Sequence, residues 1–226
     1  MRYAALFPVA LLAAPTLALA QAVIDQGSFT ITHDGARVGR EEFTIRRQPA
    51  PGGGPAIIAR ARVTLDGKRL TPALRASAAG EPDAYEIEVR SGLDVAERLR
   101  LDAGRGRFSA RLRTPDGESA REYMVADGAL ILDDDVFHQY YFVAQRPENS
   151  SIPVVIPRRN TQVTMRVASG GTERVVIGGS ALQARVIVLT APGGDVRRIW
   201  VDDAGRVLKV ALEGRGIVAT RDEPPQ

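Results

Sequence analysis

The chain has 226 residues, 44% of them hydrophobic, with two histidines and no cysteine. The missing thiol excludes disulfides, thiolate metal sites and a cysteine nucleophile. Basic residues outnumber acidic ones by 30 to 27, and all but Lys68 and Lys209 of the basic set are arginine. Those arginines alternate with Glu and Asp instead of forming a basic face with stacking aromatics, so nucleic acid is excluded as a partner class.

Arg2 precedes a mostly apolar run, Ala4 to Leu19, broken by Pro8, Pro15 and Thr16 and ending in Ala18-Leu19-Ala20. A positive start, a short apolar stretch and a small-x-small site describe a secretory signal peptide, and the run is too short and Pro-broken for a membrane span. Residues 1–20 are therefore expected to be cleaved and 21–226 to form one all-β domain, periplasmic or secreted, in a bacterial cell envelope. All-β barrels and sandwiches of roughly 200–250 residues commonly fold as one unit. No later segment is long and apolar enough to span a bilayer, so no transmembrane span is expected after cleavage.

Short segments punctuated by Asp-Gly turns follow. Asp34-Gly35, Asp66-Gly67, Asp116-Gly117 and Asp127-Gly128 sit between stretches of strand character. Both residue types tolerate the positive φ of tight hairpins, so these turns predict antiparallel neighbours. Tyr85, Ile87 and Val89 alternate with Glu86, Glu88 and Arg90, and the same period recurs at Phe108–Arg113 and Val207–Leu212. One buried face and one wet face is the signature of an antiparallel sheet over a core. The spacing predicts a large curved sheet or unclosed barrel of about a dozen strands. The Pro49–Pro55 stretch, with Gly52-Gly53-Gly54, reads as a surface loop; no Lys-Ser/Thr and no helix follow to make a phosphate cradle. Pro153 confines Ile152–Ile156 to an edge strand or a lining loop.

One helix is expected, over about 134–146, opened by Asp133-Asp134-Asp135 and stopped by Pro147. Val136, Phe137, Tyr140, Tyr141, Val143 and Ala144 fall within an arc of roughly 160°, opposite Asp135, His138, Gln139, Gln145 and Arg146, with Phe142 on the polar side. Phe137, Tyr140, Tyr141 and Phe142 place four aromatics within six residues. Such a helix in an otherwise all-β chain packs in the concave face of the sheet, either as a plug completing the core or as the wall of an apolar cavity. Tyrosine hydroxyls, which need a polar partner or water, lean toward the wall.

The C-terminal third carries a family pattern. Glu173–Gly179 leads into Gln183–Val188, then Gly193-Gly194-Asp195, Arg198-Ile199-Trp200-Val201-Asp202 and Gly205–Val210. This resembles uncharacterised periplasmic β-barrel domains that sit near the lipoprotein carrier and sorting proteins, which share a strand ending in Trp-x-Asp, a turn Gly and a returning strand with Lys. The resemblance implies an unclosed barrel and, from the carriers, acyl chains held under helices. It implies no catalytic residue.

Catalytic chemistry is thin. His33 and His138 lack a metalloprotease arrangement, and Gly178–Leu182 lacks the second flanking Gly of a serine elbow. Asp134 and His138 stand i,i+4 with no third ligand. No catalytic residue, no metal site and no cofactor is expected. The chain reads as a non-enzymatic exported protein that binds an apolar or lipid-like ligand between sheet and helix, with Phe137, Tyr140, Tyr141 and Trp200 as cavity lining. The alternative is an envelope scaffold that docks a protein partner, with a fully packed core.

Overall fold

The computed structural model describes residues 22–50, 54–104 and 106–226; the expected signal peptide lies outside them, as do residues 51–53 of the glycine loop. Fifteen strands among the described residues form one sheet. The first eight run as a meander: β1 (Ala22–His33), β2 (Ala36–Pro49), β3 (Pro55–Leu65), β4 (Lys68–Ser77), β5 (Pro82–Ser91), β6 (Asp94–Gly104), β7 (Arg107–Thr114) and β8 (Gly117–Met124). After the two-residue β9 (Leu130–Ile131) and the helix α1 (Tyr140–Ala144) come β10 (Ser151–Ile156), β11 (Thr161–Ile177), β12 (Ser180–Thr190), β13 (Val196–Val201), β14 (Val207–Leu212) and β15 (Ile217–Arg221). The last strand returns to the first, pairing Phe29 with Arg221 and Ile31 with Ala219, which joins the two halves into one continuous sheet.

All pairings are antiparallel except the short β9–β10 contact, where Leu130 and Ile131 meet Val154 and Val155. Asp34-Gly35 and Asp66-Gly67 hold positive φ throughout (48° and 83°, 47° and 75°), the conformation that matches the twist of two-residue hairpins. Asp127-Gly128 instead lies where the chain leaves the β8 edge and crosses to β9. Pro153 sits just before the two β10 residues that pair with β9, so its missing N–H costs no ladder bond there.

The sheet curls without closing. Near the far end of β8, the Gln162 side-chain amide donates to the Met124 carbonyl at 2.6 Å and the Tyr123 hydroxyl to Asn160 Oδ1 at 3.3 Å. Its concave side is filled by Phe29, Ile31, Ile45, Leu74, Tyr85, Ile87, Leu99 and Leu101, all buried, and by the crossing segment between β8 and β10. Ala129–Leu132, Val136, Phe137 and Tyr140–Ala144 of that segment are buried in the same cluster. A second, smaller cluster of Val175, Ile177, Ala184, Val186, Trp200 and Leu208 lies apart from it. Trp200 alternates with the core residues Ile199 and Val201, so it points away from the main core. The β11–β12 ladder is interrupted between Ser169 and Thr172, at Gly170-Gly171, and the hairpin tip beyond reaches the C-terminal tail at Gly178.

The helix differs from expectation in length, five residues instead of about thirteen. The aspartates do not cap it. Asp135 takes a left-handed conformation (φ 63°), and the Asp133 carboxylate accepts the Asp134 amide at 2.9 Å, so the chain turns there. Packing rather than helix propensity holds the segment in place.

Close strand approach at Gly39 gives a test. A Cβ there would collide with the Thr64 carbonyl oxygen and lie 3.1 Å from Leu65 Cα, backbone that cannot step aside without opening the β2–β3 ladder. Gly39→Ala is expected to cost about 3 kcal/mol, read as a lowered denaturant midpoint at unchanged slope.

Candidate functional site

β2 alternates Glu41, Phe43 and Ile45 on the face that enters the core, so a carboxylate stands in an apolar row. Glu41 is fully buried. Its Oε2 accepts the Phe137 amide at 2.6 Å, its Oε1 the His138 amide at 3.0 Å, and His138 Nδ1 lies 2.5 Å from the same oxygen. The imidazole stacks on Phe43 (6.1 Å, 9°), which stacks in turn on Phe29 (5.0 Å, 12°). Glu41 thus does for the crossing segment what a capping residue does for a helix, from a different strand. Sequence reasoning missed it; a charged residue at an inward position of an alternating strand was the available signal.

A second polar cluster holds the start of the segment. The Asp133 carboxylate accepts from Tyr85 Oη and Arg158 Nε, both at 2.8 Å, while the Gln139 side-chain carbonyl accepts the Asp133 amide at 2.7 Å. Burial pushes the Asp133 carboxyl above its ordinary value despite the opposing pull of Arg158 and the Tyr85 hydrogen bond. Burial, reinforced by Asp133, raises Tyr85 well above the usual phenol range. Arg158 is held charged: burial works against it, but Asp133, Tyr85 and Asp135 outweigh burial. Asp134 pairs with Arg159, and Asp135 with Arg215 at 2.8 Å.

The expected lining residues separate. Phe137, Tyr140 and Tyr141 belong to the main core, and Trp200 to the smaller cluster. Tyr140 Oη accepts from Arg197 Nη1 at 3.0 Å, and Arg197 is held by Asp195 at 2.9 and 3.1 Å. Burial raises both Tyr140 and Tyr141, with Arg197 opposing it at Tyr140 and Arg47 at Tyr141. Phe142, expected on the polar side, is buried against Tyr141, edge to face at 5.4 Å, and against Gly80. Trp200 Nε1 donates to Glu173 Oε2 at 2.7 Å while Lys209 Nζ sits 4.6 Å from its ring centre. Asp134 and His138 serve different partners, Arg159 and Glu41, and among the described residues no cluster of three or more His, Asp or Glu is arranged to hold a metal.

Open space lies elsewhere, in a groove of about 840 Å³ along β1–β4 and the C-terminal tail. Phe43, Gly27, Ala61, Asp25 and Arg221 border it from the inward face of β1, β2, β3 and β15, the side chains of all but Gly27 directed to the core side. Arg221 meets Asp25 with two parallel hydrogen bonds, 2.8 and 3.0 Å, and its guanidinium lies 5.4 Å from the Phe43 ring centre. Gly27 makes room for it: a Cβ there would come within 2.9 Å of Arg221 Nη2. Arg40, Glu42, Thr44, Arg60, Arg62 and Thr71 supply the polar part. A smaller concavity of about 440 Å³ is lined by residues that include Glu81, Asp83, Phe108, Val125 and Asp127.

No family model and no curated protein matches the chain. Among solved structures, a β-barrel-like protein of the domain of unknown function DUF1849 from Brucella abortus aligns over 90% of this chain and 98% of its own, with a TM-score of 0.55 at 9% identity. A DUF1089 family protein from Pseudomonas aeruginosa aligns over 77% of this chain and 90% of its own, with a TM-score of 0.41 at 14% identity. The first likeness establishes a shared β-barrel-like architecture. Among the described residues no helix is long and apolar enough to cross a membrane.

Two measurements test the buried groups. Glu41→Ala strands two amides and an imidazole in the core and is expected to cost roughly 3–5 kcal/mol, with Glu41→Gln, which keeps one acceptor, falling between it and the parent in chemical denaturation. Asp133 keeps its proton to higher pH folded than unfolded, so the stability it contributes is complete below the ordinary carboxyl value of 3.8 and is lost as pH rises through the folded value. The unfolding free energy of the parent minus that of Asp133→Asn should therefore fall as pH is raised from below 3.8 toward neutrality; a flat difference would remove burial as the dominant influence.

Proposed function

We propose that the protein is exported to the bacterial cell envelope and acts there as a non-enzymatic binding module whose interior is closed by its own chain and whose recognition surface is the open groove. The observation that carries this reading is the complete burial of Tyr140–Ala144 against a sheet that also supplies Glu41 to the Phe137 and His138 amides. Space that a ligand would take between sheet and helix is taken by side chains of the segment itself. Export rests on Arg2, the apolar run after it and Ala18-Leu19-Ala20. The non-catalytic part is supported by the employment of the buried ionisable groups: Glu41 receives amides, and Asp133 and Arg158 anchor a turn.

One observation favours a second reading, an apolar ligand in the concave face. Among the described residues the crossing segment joins the strand ladder through only the two paired residues of β9 and is otherwise held by side-chain packing and polar contacts, so it is a separable insert. The resemblance to the neighbourhood of the lipoprotein carriers makes an acyl chain the guest to look for.

Native mass spectrometry of protein purified from an envelope fraction, paired with hydrogen exchange, separates the two. The self-closed reading expects the Phe137 and His138 amides to stay protected whatever co-purifies. An acyl-containing mass whose bound form exposes those amides to exchange would overturn it in favour of the second.

A further inference from the structure

The outward arginines of β4–β7 mostly have carboxylate partners. Arg75 meets Asp83, Arg90 and Arg98 share Glu88, Arg100 meets Glu86, Arg107 meets Glu122 and Arg113 meets Glu118. Arg60 and Arg62, exposed at alternate positions on β3 within the groove, have no ion pair among the described residues.

The carboxylates near them are spoken for, with one exception. Asp25 is taken by Arg221, and Asp222 by Arg40 at 3.0 Å and by the Ser28 and Thr30 hydroxyls at 2.5 and 2.6 Å. Glu42 lies 3.4 Å from Arg40 Nε. Among the described residues of the groove, Glu223, exposed on the tail, is the one side-chain acid without a partner. Two residues apart on a strand, the Arg60 and Arg62 side chains emerge on one face about 7 Å apart. Thr44 lies across the ladder from Arg60 on β2, and the register that pairs Arg60 with Ala73 and Val63 with Leu70 sets Thr71 opposite Arg62 on β4. Two forked donors flanked by hydroxyls match the several oxygens and the double charge of a phosphoryl group. Val23, Ile24 and Pro224 give the same groove an apolar stretch, and Val23 is half-exposed.

We propose that Arg60 and Arg62 bind the phosphoryl group of an anionic amphiphile, a phospholipid-like headgroup, whose apolar part lies against Val23, Ile24 and Pro224. This rests on the reading that the groove is the recognition surface. It assigns the ligand class.

Isothermal titration of the purified chain with dihexanoylphosphatidic acid below its micelle concentration, and separately with inorganic phosphate, tests it. The lipid binds at least about tenfold more tightly than phosphate, and the Arg60→Gln/Arg62→Gln double variant loses about tenfold or more in lipid affinity at an unchanged melting temperature. Arg111→Gln, which removes an exposed arginine of β7 outside the groove, leaves affinity within about twofold, and Glu223→Gln strengthens it a few-fold. Equal affinity for phosphate and lipid overturns the apolar contact and makes free phosphate the ligand. An Arg111→Gln loss as large as that of the double variant overturns the site in favour of diffuse charge, and a double variant that binds like the parent overturns it outright. Exchange at the Phe137 and His138 amides keeps the two ideas apart: if they stay protected while the double variant binds normally, the phosphoryl site fails and the self-closed interior stands.

Discussion

A carboxylate with no exposure at all survives in this core because it receives hydrogen bonds from two backbone amides and faces an imidazole nitrogen. An uncompensated charge there would be prohibitive; compensated, it becomes a locator. Side chains of a strand alternate faces, so a one-residue slip of β2 would swing Glu41 out of the core and bring Arg40 or Glu42 inside. The Phe29–Phe43–His138 stack depends on the same register, since Phe43 follows Glu41 on the inward face and Phe29 lies directly across the ladder from Glu41. Placement of the crossing segment and of the first two strands is in this way one decision.

The start of that segment, Asp133–Asp135, is held by guanidinium groups drawn from two tight turns. Arg158 and Arg159 come from the turn between β10 and β11, and Arg215 from the turn between β14 and β15. Three consecutive aspartates would repel one another in isolation; here each faces a guanidinium, so their repulsion is offset and the two turns are drawn onto the insert. The same contacts shorten the helix. A chain that sends Asp133 toward Tyr85 and Asp135 toward Arg215 cannot also run those residues along one helical axis, and the left-handed Asp135 is the geometric consequence.

Strands and hairpins were legible because their signals are local: period-two alternation, and Asp-Gly at the turns. The expected dozen or so strands agree with the fifteen of the sheet, and β9, two residues long, is too short for alternation to register. The helix was overextended because Asp-rich starts and aromatic spacing are also what a buried, ion-paired turn looks like in one dimension. Helical projection puts Phe142 on the polar side, yet all five residues of α1 are buried, so that side is not open to solvent there. Trp200 was grouped with the aromatic segment by chemistry alone; strand parity, with Ile199 and Val201 in the core, already pointed it the other way. Glu41 carried a readable signal, whereas its partners, about a hundred residues away, did not.

The groove has a physical origin in how one row of side chains is composed across the sheet. From β1 to β3 the ladder sets Ser28 against Glu42 and Glu42 against Arg62; from β4 to β8 it continues Thr71, Glu88, Arg98, Arg113, Glu118. Glu88 answers Arg98 and also Arg90 from the row beside it, and Glu118 answers Arg113, so the far half of the row is neutralised internally. In the near half, Glu42 turns to Arg40, which is itself drawn toward the tail by Asp222. The tail therefore influences the groove twice, once as its wall and once by recruiting the arginine that takes Glu42 away from Arg62. Docking of the last five residues and the unpaired charge of β3 are linked, since a displaced tail would release Arg40 from Asp222 and alter the competition for Glu42. An anion arriving at Arg62 meets a guanidinium left without a partner by the arrangement of its neighbours, and such a charge binds a ligand without first breaking an ion pair.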